Sequence, residues 1–219
     1  GNDIDGEVLG DYSGSSVALS SDGSIVAIGA NGNGSSLGYV HLYEWDGSSW
    51  NQLGSNIDGE GFDDYFGSSV ALSSNGSIVA IGAPYNNGNG TDAGHVRLYQ
   101  WDGASWNQHG SDIDGETQND LSGISVALSS DGLIVAIGAT GNERNGSNSG
   151  HVRLFTPDSD DDGLSDIYEI NTTLTDPNDV DSDGDGLSDR YEVNISKSNP
   201  NDVDSDDDGL DDWYEVHTS

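Results

Sequence analysis

Cysteine and methionine are absent from this 219-residue chain, and only five residues are Lys or Arg against 40 Asp and Glu. Without cysteine there are neither disulfides nor thiolate metal sites. The net charge of −35 excludes a nucleic-acid partner, because neutralising backbone phosphates requires cations. No apolar run is long enough to span a bilayer, so membrane insertion is not expected, and no secretory leader pattern opens the chain. The chain starts at Gly1 in mid-motif and reads as a piece of a longer or processed protein, with signal and anchor lying elsewhere. Proline is also scarce, at four residues, whereas 32 glycines signal many tight turns. The acidity is uneven. Residues 156–219 carry 21 acids and 2 bases, against 19 acids and 3 bases in residues 1–155.

Part of that C-terminal acidity is patterned. Three segments fit D-x-D-x-D-G-x5-E, with first aspartates Asp158, Asp181 and Asp204 spaced 23 residues apart. In such a loop, carboxylates at positions 1, 3 and 5 converge on one hard cation and position 12 chelates with two oxygens. The expected ligands are Asp158, Asp160, Asp162, the Leu164 carbonyl, Asp166 and Glu169 in the first loop. The second loop offers Asp181, Asp183, Asp185, Leu187, Asp189 and Glu192; the third offers Asp204, Asp206, Asp208, Leu210, Asp212 and Glu215. Gly163, Gly186 and Gly209 occupy position 6, where the chain must turn sharply. A solvated acidic tail needs no phased Gly, Leu and Glu. About three calcium ions are expected, or more if Asp179 and Asp202 add ligands between loops.

The first 155 residues repeat with periods of 53 and 56 residues. Ile4-Asp-Gly-Glu7 returns at 57–60 and 113–116, and Ser16–Ser21 returns at 69–74 and 125–130. Ile25-Val-Ala-Ile-Gly-Ala30 returns at 78–83 and 134–139, and Val40–Trp45 returns at 96–101 and, as far as Phe155, at 152–155. Trp50–Leu53 matches 106–109 and has no third copy. The pattern predicts four short strands per unit. Two-residue hairpins are expected at Asp22-Gly23, Asn75-Gly76, Asp131-Gly132, Asp46-Gly47 and Asp102-Gly103. The fold class is therefore mainly β: a partial β-propeller of four-stranded antiparallel blades, two full and one incomplete, over 1–155. Calcium-loop repeats with short helices follow over 157–219. Blade three lacks its outer strand, so pairing of that open edge with further blades or another chain is expected.

Phe66-Gly67 with Gly82-Ala83-Pro84, set among VALSxDG and WDGxSW segments, resembles the FG-GAP repeat of integrin-α-type propellers in its bacterial form. The first and third units keep the glycines and lose the Phe and Pro. Their hairpins offer only Ser-Asp-Gly or Ser-Asn-Gly, so no metal is placed in the blades. The linkers Asp176-Pro-Asn-Asp-Val180 and Asn199-Pro-Asn-Asp-Val203 resemble the bacterial thrombospondin type 3 repeat, which implies the ligand positions named above. A 23-residue period leaves room for one short exiting helix per loop, expected over 164–170, 187–193 and 210–216. A dockerin-like docking module shares that plan, but it normally has two repeats with longer apolar helices.

No nucleophile-elbow or phosphate-loop motif is present, so no catalytic residue is assigned. His95 and His151 share the blade position of Tyr39, which suits packing better than ligation. Trp45, Trp50, Trp101 and Trp106 flank hairpins, as cross-strand pairs or as a glycan-stacking platform. The loops 31–37, 84–93 and 140–149 differ most among units and are the candidate ligand surface. These readings point to a non-catalytic secreted or cell-surface protein that binds an extracellular protein or glycan. The alternative is an accessory region of a larger secreted enzyme.

Overall fold

A computed structural model describes residues 3–32 and 37–218. Residues 33–36, within one candidate ligand loop, lie outside it. The chain divides into two units, residues 1–155 and 156–219.

The first unit is built on the doubly apolar strand of each repeat. In the first sheet, β1 (Ser13–Leu19), β2 (Ile25–Ala30), β3 (Tyr39–Trp45) and β4 (Trp50–Gln52) pair antiparallel in that order. A short β5 (Ile57–Asp58) joins the same β3, pairing Ile57 with Val40 while β4 pairs Trp50 with Trp45. The outer strand of a blade is thus in two pieces, and the recurring Ile-Asp-Gly-Glu segment supplies the second piece to the blade before it. The second sheet repeats the plan with β6 (Ser69–Leu72), β7 (Ile78–Ala83), β8 (His95–Trp101), β9 (Trp106–Gln108) and β10 (Ile113–Asp114). The third has only β11 (Ser122–Leu128), β12 (Val135–Ala139) and β13 (His151–Phe155).

The hairpins depart from the expected two-residue Asp-Gly type. Ser20 N–H still bonds Ile25 O (2.9 Å), so four residues close the inner loop, with Gly23 alone at positive φ (72°) among them. Asp22 does not need that conformation, because its Oδ1 accepts from Ser24 N–H (2.9 Å) and the Ser20 hydroxyl (2.7 Å). In the outer hairpin the central pair is Gly47-Ser48, one place later than expected, since Asp46 N–H bonds Ser49 O (3.1 Å). Asp46 Oδ1 then accepts the Ser48 and Ser49 amides. A side chain that satisfies loop amides replaces the backbone twist of the shorter turn.

Because the middle strands are apolar on both faces, the sheets stack face to face. Ala27, Val40 and Leu42 of the first sheet bury against Val70, Val79 and Ile81 of the second, with Phe66 filling the joint. Ile78, Ala80, Val96 and Leu98 on the opposite face bury against Val135 and Ile137 of the third. Glycines permit the approach. A Cβ at Gly29 would collide with the Gly67 carbonyl oxygen, and one at Gly82 with the Gly123 carbonyl oxygen. Each contact carries a hydrogen bond, Ser16 Oγ to Gly67 O (2.8 Å) and Ser69 Oγ to Gly123 O (2.7 Å). The unit is a run of three propeller blades.

The second unit holds three loop-helix repeats. Helix α1 (Asp166–Tyr168) widens into a π-helical turn over Glu169–Thr173, and α2 (Asp189–Tyr191) does the same over Glu192–Ser196. Helix α3 spans Asp212–Thr218. All three begin two residues later than expected. Ser165 and Ser188 stay extended (ψ 146° and 150°), which keeps the loops open to position 8. Leu174 and Lys197 then end the turns in the left-handed region (φ 60° and 69°).

Candidate metal centre

The loop glycines explain how three aspartates come to face one another. Gly163, Gly186 and Gly209 sit at φ 94°, 101° and 96°, a region side chains resist. Their N–H groups donate to the position-1 carboxylates: Asp158 Oδ2 at 3.1 Å, Asp181 Oδ2 at 2.9 Å and Asp204 Oδ2 at 2.8 Å. Asp160 Oδ1 accepts from Asp162 N–H (3.1 Å), and Asp162 Oδ1 accepts from Leu164 N–H (2.6 Å). Asp158, Asp160 and Asp183 thereby spend one oxygen on their own loop and keep the other for the centre. Within each of the triplets Asp158/Asp160/Asp162, Asp181/Asp183/Asp185 and Asp204/Asp206/Asp208, ligand oxygens lie within 4.8 Å of one another.

Five carboxylate oxygens in the first two loops are buried and lack any hydrogen-bond partner: Asp158 Oδ1, Asp160 Oδ2, Glu169 Oε2, Asp183 Oδ2 and Glu192 Oε2. Orphaned buried acceptors are costly, and an anionic acceptor more so. A hard dication is the group that would satisfy an all-oxygen set of this kind, so the residues fit calcium. Burial, reinforced by Asp160 and Asp162, pushes Glu169 up to about 7; burial and Asp183 push Glu192 up to about 8. Asp158, Asp160 and Asp183 are raised by burial too. The third loop is more open, with Leu210 exposed where Leu164 and Leu187 are buried.

Position 9 has a second task. Asp166, Asp189 and Asp212 are buried, and each carboxylate accepts both the N–H and the hydroxyl of the position-2 serine, Ser159, Ser182 or Ser205. The acidic pattern does not single out these serines, nor Thr175 and Ser198, whose hydroxyls reach Glu169 Oε1 (3.4 Å) and Glu192 Oε1 (3.1 Å). Their signal was the same 23-residue period, carried by hydroxyls in place of acids. Asp179 and Asp202 belong to none of the acidic clusters found among the described residues, and neither do the expected ligands Asp166, Asp189, Asp212, Glu169, Glu192 and Glu215. Neighbouring repeats are joined differently. Asp162 Oδ2 accepts from Arg190 N–H (2.9 Å), and Asp185 Oδ2 from Trp213 N–H (3.1 Å), each at the start of the next helix.

In the blades, Glu116, Asp120 and His151 also cluster. The Asp120 carboxylate is engaged by Glu116 N–H, Thr117 N–H, the Thr117 hydroxyl and Asn142 Nδ2, which makes it a loop staple. Asp11 plays the same part in the first blade, where Tyr39 donates its hydroxyl (2.6 Å). His95 is buried, and burial followed by the Arg97 charge lowers its pKa. Arg97 bridges Glu60 (2.6 Å) and Asp112 (2.7 Å). The tryptophans pair across strands, Trp45 with Trp50 at 5.5 Å and Trp101 with Trp106 at 5.4 Å.

Residues 57–99 and 103–155 match the FG-GAP repeat, and residues 181–203 match the bacterial TSP3 repeat. The chain carries FG-GAP repeats followed by a bacterial TSP3 repeat, a calcium-binding class of repeat. No curated protein matches it. Similar solved structures include Kuenenia stuttgartiensis hydrazine synthase (11% identity, 71% of this chain and 35% of that one, TM-score 0.42). Others are Acinetobacter baumannii TolB (16%, 68% and 33%, 0.37) and a Pseudomonas aeruginosa periplasmic gluconolactonase (14%, 65% and 39%, 0.42). This chain spans little more than a third of their lengths, and likeness at this level carries nothing of their chemistry across. No helix among the described residues is long and apolar enough to cross a membrane.

Proposed function

We propose that this chain is a non-catalytic extracellular module in which FG-GAP blades recognise a protein or glycan and calcium sets the conformation of the TSP3 segment. The observation that carries the calcium half is the set of five buried, unpartnered carboxylate oxygens in the first two loops. Asp158, Asp160, Asp162 and Glu169 would hold one ion, Asp181, Asp183, Asp185 and Glu192 a second, and Asp204, Asp206, Asp208 and Glu215 a third. Affinities of about 0.1–1 mM suit extracellular fluid and not cytosol, which supports secretion or surface display. For recognition, the favoured surface is the loops joining second to third strands. Asn86 and Asn142 hold two of them to Asp64 and Asp120, and the Tyr85 ring packs tilted against Tyr65 at 5.1 Å.

An isothermal calcium titration of the chelator-stripped protein tests the metal reading, with circular dichroism alongside. About three saturable sites with a gain of helix are expected. Absence of saturable binding would reduce the acidic repeats to a solvated tail. Immobilised extracellular proteins and glycans, probed with the calcium-loaded chain, test recognition; binding unaffected by replacing Tyr65 and Tyr85 would move the surface elsewhere.

A further inference from the structure

The π-helical turns that follow α1 and α2 bring a hydroxyl back onto the position-12 glutamate. Each turn begins at that glutamate: Leu174 N–H bonds Glu169 O (2.7 Å), and Lys197 N–H bonds Glu192 O (2.8 Å). Turns of this kind are rare, and they gather at functional sites. Each also ends on a residue in an unfavourable conformation. Leu174 and Lys197 sit at φ 60° and 69°, a region that side chains resist. Leu174 is 74% exposed, so its side chain gains little packing in return. Strain that local packing does not repay points to a task nearby.

The left-handed residue reverses the chain, and the next residue turns a hydroxyl to the glutamate that opened the turn. Thr175 is buried and its Oγ1 donates to Glu169 Oε1 (3.4 Å); Ser198 Oγ donates to Glu192 Oε1 (3.1 Å). A second hydroxyl stands behind each. Thr173 Oγ1 lies 2.8 Å from Thr175 Oγ1, and Ser196 Oγ lies 2.8 Å from Ser198 Oγ. Both also reach the glutamate's own carbonyl, at 3.3 and 3.4 Å. Each hydroxyl has one proton to give. With the glutamate ionised, Thr173 or Ser196 supplies the neighbouring hydroxyl, which is then free to give its own proton to Oε1.

The two oxygens of one carboxylate thereby take different parts. Oε1 is held by the hydroxyl, whereas Oε2 of Glu169 and of Glu192 is buried with no partner. A long side chain that is free until an ion arrives gives up its rotamer freedom on binding. One already tied at Oε1 has less to give up. The first repeat uses Thr-x-Thr and the second Ser-x-Ser, so what recurs is the hydroxyl and not the residue type.

We infer, on the calcium reading of the loops, that Thr175 and Ser198 are positioning residues of the first two sites. Each hydroxyl holds Oε1 of the position-12 glutamate and leaves Oε2 as the oxygen offered to the ion. The π-helical turn and its left-handed end are the means by which a residue six places on reaches back to that carboxylate. Thr175 also lies beside the Asp189 carboxylate of the next loop, so its loss would act on two repeats; Ser198 is the cleaner position to change. Partners that orient a ligating side chain carry about 10–100-fold of metal affinity. A single bond between a half-buried hydroxyl and a carboxylate belongs at the lower end of that range.

Calorimetric calcium titration of the whole chain, with Ser198→Ala and Ser198→Thr beside the wild type, tests this. Ser198→Ala should weaken one saturable site about tenfold and its neighbours less, with the wild-type circular dichroism spectrum regained at saturating calcium. Ser198→Thr keeps the hydroxyl and should keep the wild-type affinity. Glu192→Asp retains a carboxylate but withdraws it from Ser198, and in that background Ser198→Ala should weaken binding no further. A wild-type chain without saturable sites would overturn the calcium reading itself. Wild-type sites with Ser198→Ala unchanged would overturn the positioning role alone. So would failure of Ser198→Thr to keep affinity, or an undiminished loss in the Glu192→Asp background.

Discussion

Removing calcium should unfold the second unit and leave the blades intact, and the cost can be worked from the loop geometry. Each aspartate triplet places three like charges within 4.8 Å of one another. A pair at that distance repels by about 1 kcal/mol in water and about 3.5 kcal/mol at an effective dielectric of 20. Three pairs per triplet therefore amount to about 3–10 kcal/mol, and three triplets to about 9–30. Against this the unit buries two leucines, Leu164 and Leu187, each worth about 1.5–3 kcal/mol. Repulsion wins even at the lower bound. The assay is far-UV circular dichroism with dynamic light scattering during titration with a chelator. The helical signal of 166–218 should disappear and the hydrodynamic radius should grow, while the strand signal persists and a separate thermal transition of the blades remains. Identical helix content and radius with and without calcium would refute the electrostatic reasoning, because the loops would then be stable with their charges uncompensated.

The position-12 glutamates give a pH dependence. Glu169 and Glu192 titrate at about 7 and about 8 in the folded, metal-free unit against 4.5 unperturbed, so the fold binds more protons than the unfolded chain between those values. Without calcium the second unit should accordingly become less unstable as pH falls from 8 towards 4.5, while calcium binding weakens as the carboxylates take up protons. Far-UV circular dichroism in chelator at pH 8 and at pH 5 checks this, and no gain of helical signal at the lower pH would contradict it. Asp185→Ala removes the acceptor for both Leu187 N–H and Trp213 N–H, at about 1–3 kcal/mol. Amide exchange should show the first turn of α3 losing protection although that helix lies in the next repeat; unchanged protection at Trp213 would break the proposed link. In the blades, Phe66→Ala should cost about 3–5 kcal/mol in chemical denaturation. Gly82→Ala, whose Cβ meets the Gly123 carbonyl, should cost about 1–3 kcal/mol. A neutral result at either position would mean that the blades do not pack as described.

Strand existence was legible because the strong signals were local. Ile25-Val-Ala-Ile-Gly-Ala30 and its repeats are apolar and rich in β-branched residues, the signal of inner strands, and they are paired on both edges in all three sheets. What the sequence hid is whatever depends on a partner far along the chain. Ile57-Asp58 looks like the opening of a repeat, yet its hydrogen bonds run back to Val40 in the repeat before. Asp22-Gly23 carries the signal of a two-residue hairpin, but that signal assumes the aspartate must take positive φ. A side chain that bonds Ser20 and Ser24 removes the need. The metal loops divide in the same way. Positions 1, 3, 5 and 6 could be read directly, because their role is fixed within six residues. That Asp166, Asp189 and Asp212 would clasp the position-2 serines, and that Asp162 and Asp185 would cap the following helices, depended on contacts 7 and 28 residues long.

Those long contacts change how the acidic segment should be understood. If each loop only bound its own ion, the three repeats would titrate independently, and the order in which they filled would reflect local exposure alone. Asp162 and Asp185 make that impossible, because the carboxylate that closes one loop also fixes the start of the next helix, and that helix delivers the next position-12 glutamate. An ion in the first loop orders Asp162 and so positions Glu192; an ion in the second orders Asp185 and so positions Glu215. Because binding linkage is reciprocal, an ion in the second loop favours the first as much as the first favours the second. Loss of either end site should therefore weaken the middle site most, and the far site less. A calcium titration of Asp160→Ala set beside Asp206→Ala reads that coupling. Unaltered affinity at the middle site in both variants would show that the two hydrogen bonds tie the repeats together without coupling their ions.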